Sequence, residues 1–126
     1  MTTPGTVTAA VRAIELALEQ LAEAGIEATR DAGAFYPQPT GVLVGLPALV
    51  GRGLYARTFE LPVLVVSGDP LNAELNVNRL YELAEAAALA LGEDSYTVSS
   101  YRSSSNAEPL PALELLVTVT VTETEV

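Results

Sequence analysis

Val7, Val11, Ile14, Leu18 and Leu21 recur at alternating spacings of four and three residues, while Arg12, Glu15, Glu19 and Glu23 fall between them. Positions so spaced share one face of a helix, so the pattern predicts an amphipathic helix over residues 6–24, lying with this stripe against a sheet. Thr6 is the expected N-cap and Gly25 the expected left-handed residue after the last turn, with Ile26 folding back on it. The stripe is also a heptad pattern, but only two heptads long, which favours packing on a sheet over a coiled coil. A second helix is expected over residues 70–91, with Asp69 as cap and Pro70 at the first helical position, where a missing N–H costs nothing. Its apolar face is Leu71, Leu75, Leu80, Ala84, Ala87 and Leu91, its many alanines allow a close neighbour, and Gly92 ends it.

The remaining segments read as strands and turns. Residues 113–122 alternate strictly, with Leu115, Val117, Val119 and Val121 on one face and Thr118, Thr120 and Thr122 on the other. Residues 96–104 mix β-branched and aromatic residues with serines, as a half-exposed strand does, and the proline-bearing loop 105–111 is too short for a crossover, so the two should pair antiparallel. Residues 42–44 form a short buried strand, and 57–67 a longer one whose Pro62 suggests an edge or a bulge. Residues 27–30 form an optional short strand, and residues 31–40 a turn-rich loop containing Phe35 and Tyr36. Residues 47–54 are apolar but carry Gly51 and Gly53; a segment that settles into neither helix nor strand is either a contact surface or a buried crossover. The expected fold is α+β: a single mixed, mostly antiparallel sheet with two helices packed on one face, in the order α-β-β-(β)-α-β-β. One domain, residues 1–126, accommodates it, with 1–5 and 123–126 as frayed ends.

Composition narrows the chemistry. Cysteine, histidine, tryptophan and lysine are absent, and the six basic residues are Arg12, Arg30, Arg52, Arg57, Arg79 and Arg102. That removes thiolate and imidazole catalysis, His- or Cys-ligated metals, Schiff bases and the P-loop lysine. Carboxylate pairs, tyrosine, arginine clamps and oxygen-ligated magnesium or calcium are what is left. Sixteen acids against six arginines give a net charge of −10 and a pI near 4.2, the wrong sign for non-specific attraction to nucleic acid. No stretch approaches a membrane span, and no secretory leader is visible, so a soluble cytosolic protein is expected.

Each candidate site has an ordinary explanation beside the functional one. Glu15, Glu19 and Glu23 share a helix face and would suit a divalent cation, but a solvated face explains them, as it does Glu82 and Glu85. Asp69 and Glu74 would make an acid and base, yet Asp69 already has a capping role. Residues 101–106 offer hydroxyls, the Arg102 guanidinium and the Asn106 amide to an anion or a partner backbone, or are simply a strand end running into a turn. Arg52 and Arg57 flank Gly53 and Tyr55, and on so acidic a chain such arginines are natural partners for a neighbouring copy's glutamates. No catalytic, cofactor-binding or metal-binding residue is assigned, and no enzyme is expected.

Three segments together carry a resemblance: Gly41-Val42-Leu43-Val44-Gly45-Leu46-Pro47 with Leu49-Val50-Gly51-Arg52; Leu61-Pro62-Val63-Leu64-Val65-Val66-Ser67-Gly68-Asp69-Pro70; and Ser100-Tyr101-Arg102 with Asn106-Ala107-Glu108-Pro109-Leu110-Pro111-Ala112. Over residues 5–122 the chain resembles the small tail terminator proteins of long-tailed, siphovirus-type bacteriophages of actinobacteria. The resemblance implies a structural virion protein at the head-proximal end of the tail, assembled in the host cytoplasm as a homo-hexameric ring. Such a ring stops growth of the tail tube and docks to the head connector. Its implied partners are other copies of itself, the major tail tube protein and the head–tail connector protein, with DNA passing through unbound, no membrane and no cofactor. It supplies no residues by identity. From the sequence, subunit or tube contacts are expected in 31–40, 47–57 and 104–111, with Phe35, Tyr36, Leu49, Arg52, Tyr55, Arg57, Arg102 and Asn106 as the candidates. Another head–tail joining or tail-completion component, and more remotely a carboxylate- or metal-dependent enzyme, are the alternatives.

Overall fold

The alternation near the end of the chain finds its partner in the central strand. In the computed structural model, which describes residues 5–35, 37, 39–68, 74–102 and 109–122, with only the backbone of 74 and 75, the order is α1 (Thr6–Glu23), β1 (Ala28–Thr29), β2 (Thr40–Val44), β3 (Ala48–Arg52), β4 (Ala56–Ser67), α2 (Glu74–Leu91), β5 (Thr97–Tyr101) and β6 (Leu110–Thr122). β4 and β6 pair antiparallel over eleven positions, from Ala56↔Thr122 to Val66↔Ala112. β2 and then β3 lie along the other side of β4, end to end, and β5 pairs with the first residues of β6. The sheet order is β1-β2-β4-β6-β5 with β3 also on β4, and the parallel pairing of β1 with β2 makes it mixed.

Both helices cover one face. Phe59, Leu61, Val63 and Val65 of β4, with Leu113, Leu115, Val117 and Val121 of β6, form one core with Ala9, Ala13, Ala17 and Leu21 of α1 and Leu80, Ala84, Ala87 and Leu91 of α2. α1 ends as expected: Gly25 has φ +78°, and the Gly25 and Ile26 N–H groups donate to the Ala22 and Leu21 carbonyls, both at 2.9 Å, the reciprocal pattern of a Schellman cap. Gly92, at φ +72°, ends α2 in the same way, the Glu93 N–H reaching the Ala88 carbonyl at 2.9 Å.

Five expectations are corrected. Gly5 is the N-cap of α1, one residue before Thr6, and offers no side-chain bond. Four strands, not two or three, separate the helices, because the apolar segment 47–54 contains β3. Of the expected stripe on α1, Ile14 and Leu21 are buried, but Ala9, Ala13 and Ala17 fill the rest of the buried side, and Val7 and Val11 stand 79% and 41% exposed. α1 meets both the sheet and α2, which leaves room for methyl groups along much of the contact and puts Val7 and Val11 at the flank. Pro62 lies in a central strand: the Gly45 N–H donates to its carbonyl at 2.8 Å, so its own nitrogen faces the same side, at the bend where the chain passes from β2 to β3 and no ladder bond is lost. Leu110 and Pro111 belong to β6 instead of a loop; β4 stops pairing at Ala112, and Pro111 pairs with β5 alone. The expected cap and first turn of α2, residues 69–73, and the end segments 1–4 and 123–126 lie outside the described residues.

Val7→Asn and Val11→Asn should each change the unfolding free energy by less than about 0.5 kcal/mol. Ala13→Leu, which inserts a side chain where nothing is exposed, should cost about 1–3 kcal/mol. Urea denaturation of the three variants checks this, and equal losses would contradict the assigned helix face.

Candidate interaction surface

The two sides of the sheet are built differently. On one side β3 and β4 form a hairpin whose turn is closed by the Gly53 N–H donating to the Ala56 carbonyl at 3.0 Å. Arg57 is half-buried and serves this turn, its Nη1 donating to the carbonyls of Ala56 at 3.1 Å and Gly53 at 3.5 Å, while its buried Nε has no hydrogen-bond partner among the described residues. Arg52 stands directly opposite Arg57, an arrangement that disfavours the pair until an anion comes near. Among the described residues neither arginine has a carboxylate within ion-pairing distance. Val50, Leu54 and Tyr55 are exposed along this hairpin, and Leu46 at the preceding bend is 85% exposed. Above the bend, an apolar cleft of about 740 Å³ runs between α1 and the outer side of β2, bordered by Val11, Ile14, Leu43 and Leu46 with Arg30 and Asp31 at its rim.

On the opposite side, α2 and β5 enclose a cleft of about 500 Å³ lined by Val77, Leu80, Tyr81, Val98 and Pro111. Val98, 81% exposed, points toward the helical layer but lies beyond its cover. Tyr81 leans on Tyr96, ring centres 6.0 Å apart, and the Tyr96 hydroxyl donates to Glu85 Oε1 at 2.6 Å. That bond to a carboxylate, with a smaller desolvation effect, raises the Tyr96 pKa above its ordinary 10.0. A tyrosine whose folded pKa lies above its unfolded value contributes stability that is fully present below the unfolded pKa and is lost as pH rises through the folded one. Tyr96→Phe should therefore melt below the parent at neutral pH, and the gap should close above about pH 10. Thermal melts across that range test it, and a pH-independent gap would contradict it.

Among the described residues, the remaining sheet face, away from the helices, is covered at one end. There Phe35 meets Tyr101 edge-on, ring centres 5.3 Å apart, and the two pack over Val66, Leu110 and Ala112. Farther along that face Leu116 is exposed, and beyond it the Thr58 and Thr120 hydroxyls lie 3.1 Å apart.

Of the residues proposed from sequence, Arg52, Tyr55 and Arg102 are exposed, and Arg57 is tied to its own turn. Phe35 and Leu49 are half-buried and pack within the subunit, Leu49 against the main core. Tyr36 and Asn106 lie outside the described residues. Of the acidic trio on α1, Glu19 is engaged by Arg12 at 3.0 Å, and among the described residues no group of three or more carboxylates gathers as a metal site would require. Val7, Leu46, Val98 and Leu116 are exposed residues that sequence reasoning did not select. Also among the described residues, no helix is long and apolar enough to cross a membrane.

Comparison with protein-family models, with curated proteins and with solved structures found no match to this chain. The class that fold and surface define is a two-helix, six-stranded α+β domain with exposed apolar ground on both flanks of its sheet.

Proposed function

We propose that this protein is a subunit of a tail terminator ring, closing the head-proximal end of a phage tail tube and presenting the surface that docks to the head connector. The observation that carries the reading is the presence of two unlike apolar surfaces on opposite flanks of one sheet, the arginine-bearing hairpin on one side and the uncharged, tyrosine-bordered cleft on the other. A cyclic ring needs such a pair, because each subunit presents one surface forward and a different one backward. The strong negative charge supports it too, since a channel through which DNA slides must not grip phosphates. The segments that resemble tail terminators supply the particular role.

The test is negative-stain electron microscopy of the purified protein mixed with tail tubes from particles that lack it. Rings capping one tube end, with further growth blocked, are expected. Tubes left uncapped and still growing would overturn the reading. Loss of the protein from infected cells should give overlong tails; tails of normal length detached from heads would instead indicate a joining component.

A further inference from the structure

We propose that copies of this chain join side by side through their sheets, the outer edge of β3 in one copy pairing in parallel with residues 115–121 of β6 in the next. The inference deepens the ring reading above and rests on it for cyclic closure. The half of the sheet holding the start of β4 and the end of β6 has only three strands, with Ala48↔Glu60 and Glu60↔Thr118 in one row and Arg52↔Arg57 and Arg57↔Val121 in another. Among the described residues, β3 has no strand on its outer side, and β6 has none beyond Glu114, where β5 stops. Each edge presents a row of backbone donors and acceptors, which is a template for another strand. The two edges face opposite ways and belong to different strands, so joining one to the other is a heterologous contact that repeats around a ring.

Direction and charge make the joint specific. β3 is antiparallel to β4, and β4 to β6, so β3 and β6 run the same way. Rotation about an axis along the strands preserves that direction and sets Ala48 of one copy near the level of Thr118 of the next. The segment bearing one edge, residues 46–57, has two arginines and no acid; the other edge, residues 115–121, is uncharged, and the sequence on either side of it supplies Glu114, Glu123 and Glu125 and no arginine. Among the described residues the opposed Arg52 and Arg57 have no carboxylate within ion-pairing distance, so an acidic neighbour in the assembly would stabilise them. Exposed Val50 and Leu116 beside the two edges add apolar contact. The register slip between Leu49 and Gly51 keeps the paired stretch short, which suits a ring that assembles by many weak joints at once.

The chain has no cysteine, so introduced thiols report without background. Ala48→Cys is combined in turn with Leu116→Cys, Thr118→Cys and Thr120→Cys, exposed positions on the same sheet face. Within one subunit Ala48 and Thr118 are two strand spacings apart, roughly 9–10 Å, beyond disulfide reach, so a bond forms only between copies. Oxidation of the protein assembled with tail tubes should give, for at least one pair, a ladder of covalent oligomers ending at the ring, and no ladder for any single variant. Unchanged thermal transitions of the reduced variants confirm that the substitutions leave the fold intact. Rings that form with no ladder from any pair would overturn the edge joint while leaving the ring reading in place. A cross-linked dimer from Ala48→Cys alone would show a two-fold contact and overturn the joint. A chain that stays monomeric with and without tubes would overturn both.

Discussion

Phe59→Ala is expected to lower the unfolding free energy by about 3–5 kcal/mol. Phe59 is 1% exposed and is among the largest fully buried side chains of the core. It sits opposite Leu49 on one side and Val119 on the other, where β3, β4 and β6 lie together under the helices. Truncation removes the ring's burial and leaves a hole that three hydrogen-bonded strands cannot easily close. Against the ~5–15 kcal/mol typical of a small domain, the loss would bring the variant close to its folding threshold. Leu49→Ala, at a half-buried position on the short strand, should cost less, because solvent already reaches the site. Urea denaturation followed by circular dichroism gives both values. A cost for Phe59→Ala below that for Leu49→Ala would mean that this end of the core is not packed as described.

The difference between those two positions also explains what the sequence could and could not disclose about the fold. β6 was legible because its buried and exposed phases differ chemically, valine and leucine against threonine. β3 alternates just as regularly, with Ala48, Val50 and Arg52 exposed and Leu49 and Gly51 half-buried, but two of its three exposed residues are apolar. A periodicity of burial leaves no trace when both faces carry the same chemistry. The face of α1 was legible at Ile14 and Leu21 but not in its first two turns, for a related reason. Alanine carries a weak hydrophobic signal, so the bulky Val7 and Val11 outweighed Ala9, Ala13 and Ala17, although close approach of a second alanine-lined helix selects the small residues. Pro62 signalled an edge or a bulge because the rule concerns lost donors; the missing donor here falls at a gap in the neighbouring strand, a tertiary fact that no local pattern contains.

The candidate surface was legible in part. Arg52 and Tyr55 stood out as charged and aromatic residues in a glycine-bearing turn, and both are exposed. Phe35 stood out by the same logic, yet its loop folds back on the sheet and places the ring beside Tyr101. An aromatic in a loop has the same signature whether it meets a partner or its own sheet. Leu116 left a usable trace, since it interrupts the polar phase of β6 between Glu114 and Thr118. Apolar residues in both phases of a strand indicate that both faces are covered, either by the chain itself or by something else. Among the described residues, Phe35 and Tyr101 cover the far face of β6 near Leu110 and Ala112, and Leu116 stands exposed beyond them.

Gly45→Ala is expected to be the most costly single-methyl insertion in the sheet, at about 1–3 kcal/mol. Gly45 has no positive φ, so backbone strain is not the cause. A Cβ there would lie 2.7 Å from Cγ of Pro62 and 3.1 Å from its carbonyl oxygen, the same oxygen that accepts the Gly45 N–H at 2.8 Å. Neither obstacle yields easily, because the proline ring is fixed to the central strand and the carbonyl belongs to its backbone. Moving β2 aside to admit the methyl would weaken that hydrogen bond and tilt β3, which continues from the same bend. Pro62→Ala removes the nearer obstacle and spares the second. The double variant should therefore recover at least about 1 kcal/mol of the sum of the two single losses, a coupling expected only for residues in contact. Denaturation of the two single variants and the double gives that coupling directly. Strictly additive losses would show that Gly45 is required for some reason other than its approach to Pro62.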